Sequence, residues 1–212
     1  MTDASPGRFI TLEGGEGAGK STQVVRLKSW LEARRHAVLA TREPGGSPGA
    51  EMVRRLLVEG PAERWDGTTE ALLHFAARRD HLRSSVWPAL KRGIWVISDR
   101  FADSTRAYQG YGLGLDPVVL EQLYAVAVGD FRPNLTVVLD LPVEIGLARA
   151  ATRRGVETRY ESLPPAFHER VRAGFLDIAA REPARCVVID ATQDIDTIAT
   201  AIARSVGERL GV

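Results

Sequence analysis

The feature that most constrains this sequence is the nine-residue stretch GGEGAGKST at positions 14–22. It matches the pattern G-x-x-x-x-G-K-[ST] in full, and it lies between an apolar run, RFITLE at 8–13, and a segment compatible with a helix. A glycine-rich backbone in this context presents its N–H groups to phosphate oxygens, and the helix that follows adds its N-terminal dipole. The stretch therefore predicts a nucleoside triphosphate site after the first strand.

Within this loop, Lys20 is expected to reach the β- and γ-phosphates of ATP, and the Ser21 hydroxyl to ligate Mg²⁺. Glu16 is the exception, because a carboxylate in an anion-binding loop repels phosphate. It is either a solvated acid or a group that faces a second substrate. The loop residues predicted to contact ATP are Gly14, Gly15, Glu16, Gly17, Ala18, Gly19, Lys20, Ser21 and Thr22.

Short apolar runs alternate with longer helical patterns along the whole chain. Continuous apolar runs are typical of parallel strands covered on both faces, and β–α alternation favours right-handed crossovers within one domain, here residues 1–212. Asp116 and Asp194 stand where helix N-caps are expected. The predicted strands are 8–13, 37–43, 94–99, 135–140 and 185–190, and the predicted helices are about 20–34, 49–58, 68–91, 116–129, 143–153, 165–181 and 194–209.

Composition argues against several other classes of protein. The net charge is +1, so no global field favours nucleic acid or a membrane surface, and no apolar stretch reaches 18 residues. Cys186 is the lone cysteine, which excludes an intramolecular disulfide. The cytoplasm is the simplest compartment for such a chain.

Other motifs narrow the class of nucleotide-binding protein. The guanine-recognition patterns NKxD and TKxD are absent, and Asp140 is followed by Leu141 instead of the Glu that many ATPases need. Asp99 and Arg100 end another strand, which places a carboxylate and a guanidinium at the ligand-binding edge of a parallel sheet. The combination favours a small-molecule kinase, with a strand-end salt bridge as the alternative for the Asp99–Arg100 pair.

Seven motifs in order resemble the thymidylate kinases in their bacterial form. They run from the first strand to the last helix, and they are LEGGEGAGKST (12–22), TREPGG (41–46), FAARR (75–79), DRFADSTRAYQG (99–110), DFRPNLTVVLDLP (130–142), RRGVETRYE (153–161) and IDATQ (189–193). The resemblance implies an α/β P-loop fold of the nucleoside monophosphate kinase type, a three-layer sandwich with a five-stranded parallel sheet flanked by helices. It also implies transfer of a phosphoryl group from ATP to dTMP, with Mg²⁺, in dTTP biosynthesis.

The resemblance assigns Arg100 to the dTMP phosphate and Asp99 to the acceptor and the metal-bound water, so that Ser21 and Asp99 are the predicted metal residues. It places Glu16 at the 3′-hydroxyl of the sugar. Arg42 and Pro44 belong to an acceptor-side turn, although a plain turn is the alternative for Arg42. The predicted dTMP-binding set is Glu16, Arg42, Pro44, Phe75, Arg78, Arg100, Ser104, Thr105, Tyr108, Gln109 and Tyr160.

Recognition of thymine is expected from an aromatic ring and an arginine one helical turn apart, and the match is ambiguous by one residue. Phe75 and Arg79 share an i,i+4 face, whereas counting back from Pro88 favours Arg78 with His74 or Phe75. We expect Phe75 to stack on the base and Arg78 to donate to it, with core packing as the alternative for Phe75.

The segment at about 149–163 resembles a lid rich in arginine. The eukaryotic form places an arginine in the phosphate loop, where this chain has Gly17, so the transition-state cation must come from elsewhere. We expect Arg153 and Arg159 to act there and Arg149 to contact ATP, unless the segment is a solvated charge run. The predicted catalytic set is Lys20, Glu16, Asp99, Arg100, Arg153 and Arg159.

Two other functions are compatible with part of this pattern. One is a kinase of a different nucleoside or deoxynucleoside monophosphate, and the other is a module that binds ATP without turnover. The resemblance further implies a homodimer, with apolar faces of the helices near 49–58 and 68–91 as possible contacts.

Overall fold

The computed structural model describes residues 7–61, 64–152 and 159–212. Its centre is a five-stranded sheet in the order β2-β3-β1-β4-β5, and every pairing is parallel. The predicted strands are confirmed to within two residues at each end. They are β1 (Phe9–Glu13), β2 (Val38–Arg42), β3 (Trp95–Asp99), β4 (Leu135–Asp140) and β5 (Cys186–Asp190).

The helices cover both faces of the sheet. Asp116 and Asp194 cap α6 and α9 as predicted, since the side chain of each accepts a hydrogen bond from a first-turn backbone N–H. The helices are α1 (Lys20–Glu32), α2 (Pro48–Val58), α3 (Gly67–His81), α4 (Trp87–Lys91), α5 (Ala102–Thr105), α6 (Pro117–Ala127), α7 (Val143–Ala151), α8 (Pro165–Arg181) and α9 (Ile195–Leu210).

The expected helix over 68–91 is interrupted. A π-helical turn, Leu82–Val86, separates α3 from α4. Pro88 lies in the first turn of α4, and its ring has no N–H for an i→i−4 hydrogen bond and clashes with the preceding turn in a regular helix. A widened turn just before the proline accommodates both effects.

The helical segment after β3 was not among the predicted helices. α5 continues into a π-helical stretch, Arg106–Gly112, which carries several predicted site residues. Its glycines and aromatic residues give weak helix propensity, so tertiary packing has to stabilise it. A Cβ on Gly112 would lie 2.5 Å from the Phe167 ring on α8, which shows how closely the two segments pack.

Two apolar layers complete a three-layer α/β sandwich. On one face β1, β3 and β4 pack against α1 and α9, through residues such as Leu27 and Ile202. On the other face β1 and β3 pack against α3 and α6, around Phe9 and Tyr124. Within the described ranges, no helix combines the length and the apolar character needed to cross a bilayer. The carboxyl ends of β1, β2 and β3 meet at one edge, where parallel α/β sheets place their ligands.

Candidate active site

One cavity of about 560 Å³ lies at this edge, between the phosphate loop and the helices that follow β2 and β3. Its lining includes Lys20 of the phosphate loop as well as Gln109 and Tyr160, so one space connects the loop with these residues. Most predicted site residues meet there. Those that line the cavity are Glu16, Gly19, Lys20, Ser21, Arg42, Pro44, Arg78, Asp99, Arg100, Ser104, Thr105, Tyr108, Gln109, Arg159 and Tyr160.

The phosphate loop has the conformation that its glycines predict. Gly14, Gly17 and Gly19 all have positive φ values, of 136°, 68° and 86°. Only glycine adopts such values without strain, and Gly19 is the N-cap of α1. Lys20 Nζ donates to the carbonyl oxygens of Gly14 and Gly15, at 3.0 and 2.7 Å. The lysine therefore reaches back over the loop towards the space where phosphate is expected.

A close contact with α7 excludes any side chain at position 17. A Cβ built on Gly17 would lie 2.1 Å from the carbonyl oxygen of Gly146, and one built on Gly146 would lie 2.4 Å from the carbonyl oxygen of Glu16. The two backbones touch because both residues are glycine. An arginine at position 17 cannot be accommodated by this backbone, so the loop itself cannot supply a second cation there.

Arg100 connects the phosphate loop with the helical segment that follows β3. Its Nη1 donates to Gly14 O over 3.0 Å and to Ser104 Oγ over 3.1 Å. Its Nη2 donates to Glu16 Oε1 over 2.9 Å and to the Tyr108 hydroxyl over 3.0 Å. Tyr108 in turn donates to Glu16 Oε1 over 2.6 Å. The loop carboxylate thus pairs with the arginine that is predicted to hold the acceptor phosphate.

Burial and nearby charges together set the pKa values of Glu16 and Lys20. Burial opposes charge on Glu16, but Arg100 and Lys20 outweigh it and lower the pKa of Glu16 to about 2. Burial and the nearby Arg100 lower the pKa of Lys20 to about 8, against the opposing effect of Glu16. Glu16 is therefore a carboxylate at neutral pH and can only accept hydrogen bonds.

An acidic side chain that was not among the predicted site residues supports the turn at Arg100. Glu13, at the end of β1, accepts hydrogen bonds from Phe101 N over 2.7 Å and from Ser104 Oγ over 2.5 Å. Arg100 has a φ of 72°, which is unfavourable for a residue with a side chain, so the turn needs such support. Burial, together with the nearby Asp103, raises the pKa of Glu13 to about 8.

Arg78 lies at the back of the cavity, held by Glu43. Arg78 Nε donates to Glu43 Oε2 over 2.8 Å, and its Nη2 donates to Phe101 O and to Thr105 Oγ1, at 3.1 and 3.0 Å. The other oxygen of Glu43 lies 3.0 Å from His81 Nδ1. Arg78 Nη1 is buried and has no hydrogen-bond partner among the described residues. Glu43 precedes the cis peptide bond to Pro44, in the turn that the sequence assigned to the acceptor side.

The candidate thymine-facing residues on α3 differ in their burial. Phe75 is 4% exposed and packs in the core beside Tyr124 instead of lining the cavity. His74, one residue earlier, lines the cavity. Burial and the nearby Arg78 lower the pKa of His74 to about 3, so it presents a neutral ring. Arg79 points away and lies over the Trp87 ring. The expected pairing therefore becomes His74 with Arg78, because a ring at position 75 faces the sheet.

The predicted lid residues are placed differently from one another. Arg153 and its neighbours to 158 lie outside the described residues. Arg159 is 3% exposed, forms an ion pair with Glu70, and donates to the carbonyl oxygens of Leu57 and Pro61. These contacts anchor the side chain of Arg159, and its catalytic role stays a prediction. Arg149 is exposed on α7 and donates to Ala191 O over 3.2 Å, next to the loop after β5.

The predicted metal residues come together. Ser21 Oγ donates to Asp99 Oδ2 over 2.6 Å at the mouth of the cavity. A hydroxyl and a carboxylate are the oxygen ligands that suit Mg²⁺, which keeps several waters and is otherwise bound by substrate phosphates. The donor set therefore fits magnesium bound together with a nucleotide. No cluster of three or more His, Cys, Asp or Glu side chains capable of holding a metal occurs in the described part of the chain.

Comparison with known proteins identifies the family. The family model described as Thymidylate kinase matches residues 12–202. The chain belongs to the thymidylate kinase family. A thymidylate kinase of Caulobacter vibrioides is 55% identical over 97% of this chain and 99% of its own length. One of Bradyrhizobium diazoefficiens is 52% identical over 96% of this chain and 90% of its own length.

A solved structure agrees with this assignment. The crystal structure of a thymidylate kinase from Ehrlichia chaffeensis superposes with a TM-score of 0.77 at 34% identity, covering 95% of this chain and all of that one. The P-loop nucleoside monophosphate kinase fold is therefore confirmed. As a member of the thymidylate kinase family, the chain is an ATP-dependent nucleoside monophosphate kinase.

Proposed function

We propose that this chain transfers the γ-phosphoryl group of ATP to the 5′-phosphate of dTMP, giving dTDP and ADP for dTTP biosynthesis. One observation carries the choice of acceptor. Arg78 and Gln109 both line the cavity, and each carries a buried polar atom, the donor Nη1 and the acceptor Oε1, without a hydrogen-bond partner among the described residues. Thymine offers the complementary pair, an acceptor at O4 and a donor at N3–H. Leaving such atoms unpaired is costly, so they favour a base that satisfies both.

On the donor side, the loop backbone and Lys20 bind the ATP phosphates. Lys20 gives up its two carbonyl contacts and donates to the β- and γ-oxygens, where it stabilises the charge of the transferring group. Ser21 and Asp99 would hold Mg²⁺, which would neutralise phosphate charge there. Thr22 follows on the exposed side of α1. Arg149 would contact the nucleotide from α7.

On the acceptor side, Arg100 binds the dTMP phosphate. It is already preorganised by Ser104 and Tyr108, so little side-chain entropy is lost when the phosphate arrives. Asp99, the adjacent residue, would organise the acceptor and the water bound to the metal. Arg42 also lines the cavity and forms an ion pair with Glu51. A bound phosphate would compete with Glu51 for this arginine.

The sugar and base occupy the far half of the cavity. Glu16, a permanent acceptor, takes a hydrogen bond from the 3′-hydroxyl. Tyr160 lies beside the deoxyribose and sterically opposes a 2′-hydroxyl. His74 replaces Phe75 as the ring beside thymine, and Thr105, which also lines the cavity, shapes the base edge.

The cation that completes the transition state comes from outside the loop, because Gly17 cannot be replaced. Arg153 remains the candidate. Arg159 holds the end of the segment in place through Glu70, and Lys20 supplies the remaining charge. Loss of activity in Arg153→Ala with unchanged KM for both substrates would support this division of roles.

The wider organisation is also part of the proposal. The chain acts as one domain in the cytoplasm and forms a homodimer through α2 and α3. Met52, Leu56 and Leu72 are 60%, 39% and 51% exposed there, which is unusual for large apolar side chains on neighbouring helices. Sedimentation equilibrium of wild type and Met52→Glu tests this, since a dimer through these helices dissociates in the variant.

An acceptor panel tests the activity itself. ADP production is followed with ATP and Mg²⁺ and each of dTMP, dUMP, dCMP, dGMP, dAMP and thymidine. The proposal requires the highest kcat/KM with dTMP. A better substrate among the other monophosphates would identify a different kinase, and ATP binding without turnover on any of them would identify a non-catalytic module.

A further inference from the structure

A buried carboxylate that takes no part in the proposed chemistry lies behind the base end of the cavity. Glu70, in the first turn of α3, is 2% exposed and accepts hydrogen bonds from three side chains. Arg159 Nη2 binds its Oε1, while Gln109 Nε2 and the Tyr160 hydroxyl donate to its Oε2 over 2.9 and 3.0 Å. Glu70 does not line the cavity, whereas all three of its partners do. It can therefore act on a substrate only through them.

The contact with Gln109 determines which way that amide faces. A primary amide has a donor on one side and an acceptor on the other, whereas a carboxylate only accepts. The Nε2 of Gln109 therefore has to face Glu70, and its Oε1 has to face away. Oε1 is buried and has no partner among the described residues. The charge at position 70 thus presents a fixed acceptor at position 109.

That fixed acceptor distinguishes the two pyrimidines of similar size. Thymine carries N3–H beside an O4 acceptor, and cytosine carries an N3 acceptor beside an amino donor, so their patterns are opposite. Gln109 Oε1 and Arg78 Nη1 match the first pattern and oppose the second. Reversing the Gln109 amide would bring two donors together at the thymine N3 position.

We propose that Glu70 is a positioning residue that sets the preference for thymine over cytosine by fixing the orientation of the Gln109 amide. This inference rests on the proposed function. Glu70 also anchors Arg159 and thereby Tyr160, but that role alone concerns the shape of the cavity. The amide orientation concerns the identity of the base, and the two roles can be separated by experiment.

Glu70→Gln is the informative change, because it keeps the shape and removes the charge. The glutamine at position 70 offers one carbonyl, which the Arg159 guanidinium takes, and one amino group, which faces Gln109. Gln109 turns its own carbonyl towards that amino group and presents Nε2 to the base. We expect kcat/KM for dTMP to fall about ten- to a hundredfold, from the usual cost of opposed buried donors, while kcat/KM for dCMP stays level or rises.

The charge swap Glu70→Gln with Gln109→Glu distinguishes this mechanism from a loss of support. A carboxylate at position 109 accepts from the amino group at position 70 and presents its second oxygen to thymine N3–H. The total charge is that of the wild type. We expect the swap to recover most of the dTMP:dCMP ratio lost in Glu70→Gln. If Glu70→Gln and the charge swap lowered the dTMP:dCMP ratio of kcat/KM equally, the proposal would be overturned.

Three further measurements keep the outcome unambiguous. Glu59→Gln, an exposed carboxylate outside the cavity, should leave the ratio unchanged, and circular dichroism with thermal melting reports folding of each variant. If Glu70→Gln does not fold, Gln109→Met decides, since it removes the amide and should lower the ratio about tenfold. An unchanged ratio in a folded Glu70→Gln or in Gln109→Met would overturn the role of Glu70. A wild type without preference for dTMP would instead overturn the proposed function.

Discussion

The contact between Gly17 and Gly146 gives a prediction whose size follows from the structure. In Gly17→Ala the new Cβ lies 2.1 Å from the Gly146 carbonyl oxygen, and the residue keeps a φ of 68°. The left-handed conformation costs an alanine about 1–2 kcal/mol, and forcing α7 away costs about 1–3 kcal/mol more. We therefore expect the free energy of unfolding to fall by about 2–5 kcal/mol, which for a chain of this size lowers Tm by about 4–20 °C.

Gly15→Ala is the matched control in the same loop. A Cβ at that position meets nothing within 4 Å, and Gly15 is not among the residues with positive φ. Urea unfolding followed by circular dichroism measures both variants, and steady-state kinetics measures KM for ATP. We expect Gly17→Ala to lose stability and to raise KM for ATP, because the loop is displaced from α7. Equal stability of the two variants, or a loss below about 1 kcal/mol in Gly17→Ala, would refute the steric argument.

The other predictions concern the charges in the cavity. Lys20→Ala should reduce kcat by at least about a hundredfold, since it removes a cation that contacts the transferring group, and near-normal kcat would contradict the loop assignment. Arg100→Ala should raise KM for dTMP about tenfold or more while KM for ATP changes less, and the reverse order would place Arg100 on the donor side. Because the pKa of Lys20 is lowered to about 8, its positive charge is present below that pH and is lost as pH rises through it. The profile of kcat/KM for ATP should therefore decline near pH 8. Glu16→Gln removes an influence that raises this pKa, so the decline should move to lower pH, and an unchanged profile would mean that the two groups are not coupled.

Much of the fold follows from local sequence. GGEGAGKST requires a strand before it and a helix after it, and the continuous apolar runs that end in Asp99 and Asp140 are typical of buried parallel strands. The structure confirms these elements because each pattern depends on neighbours in the chain. No helix with defined bounds was predicted after Phe101, for the opposite reason. Its segment has weak propensity, and packing against α8 stabilises it.

The parts of the site that could not be predicted depend on contacts between distant residues. The pairs Glu13 with Ser104, Glu43 with Arg78 and Glu70 with Arg159 span 91, 35 and 89 positions. An arginine in a cationic segment gives no sign of whether it reaches a phosphate or a buried carboxylate. His74 and Phe75 differ by about 100° around the helix axis, which is enough to exchange cavity for core. Only the packing of α3 against the sheet decides between them.

The position of Glu16 is consistent with a cavity that binds two polyanions. Without the carboxylate, Lys20 and Arg100 would repel each other across the loop, and burial would penalise both charges. Glu16 accepts from Arg100 and attracts Lys20, so both cations remain organised before either phosphate binds. Under the proposed function, each substrate phosphate would take over one cation and leave Glu16 available to the sugar. An acid in an anion-binding loop is therefore consistent with phosphoryl transfer. Before the substrates bind, its negative charge balances the two cations that the substrate phosphates would later pair with.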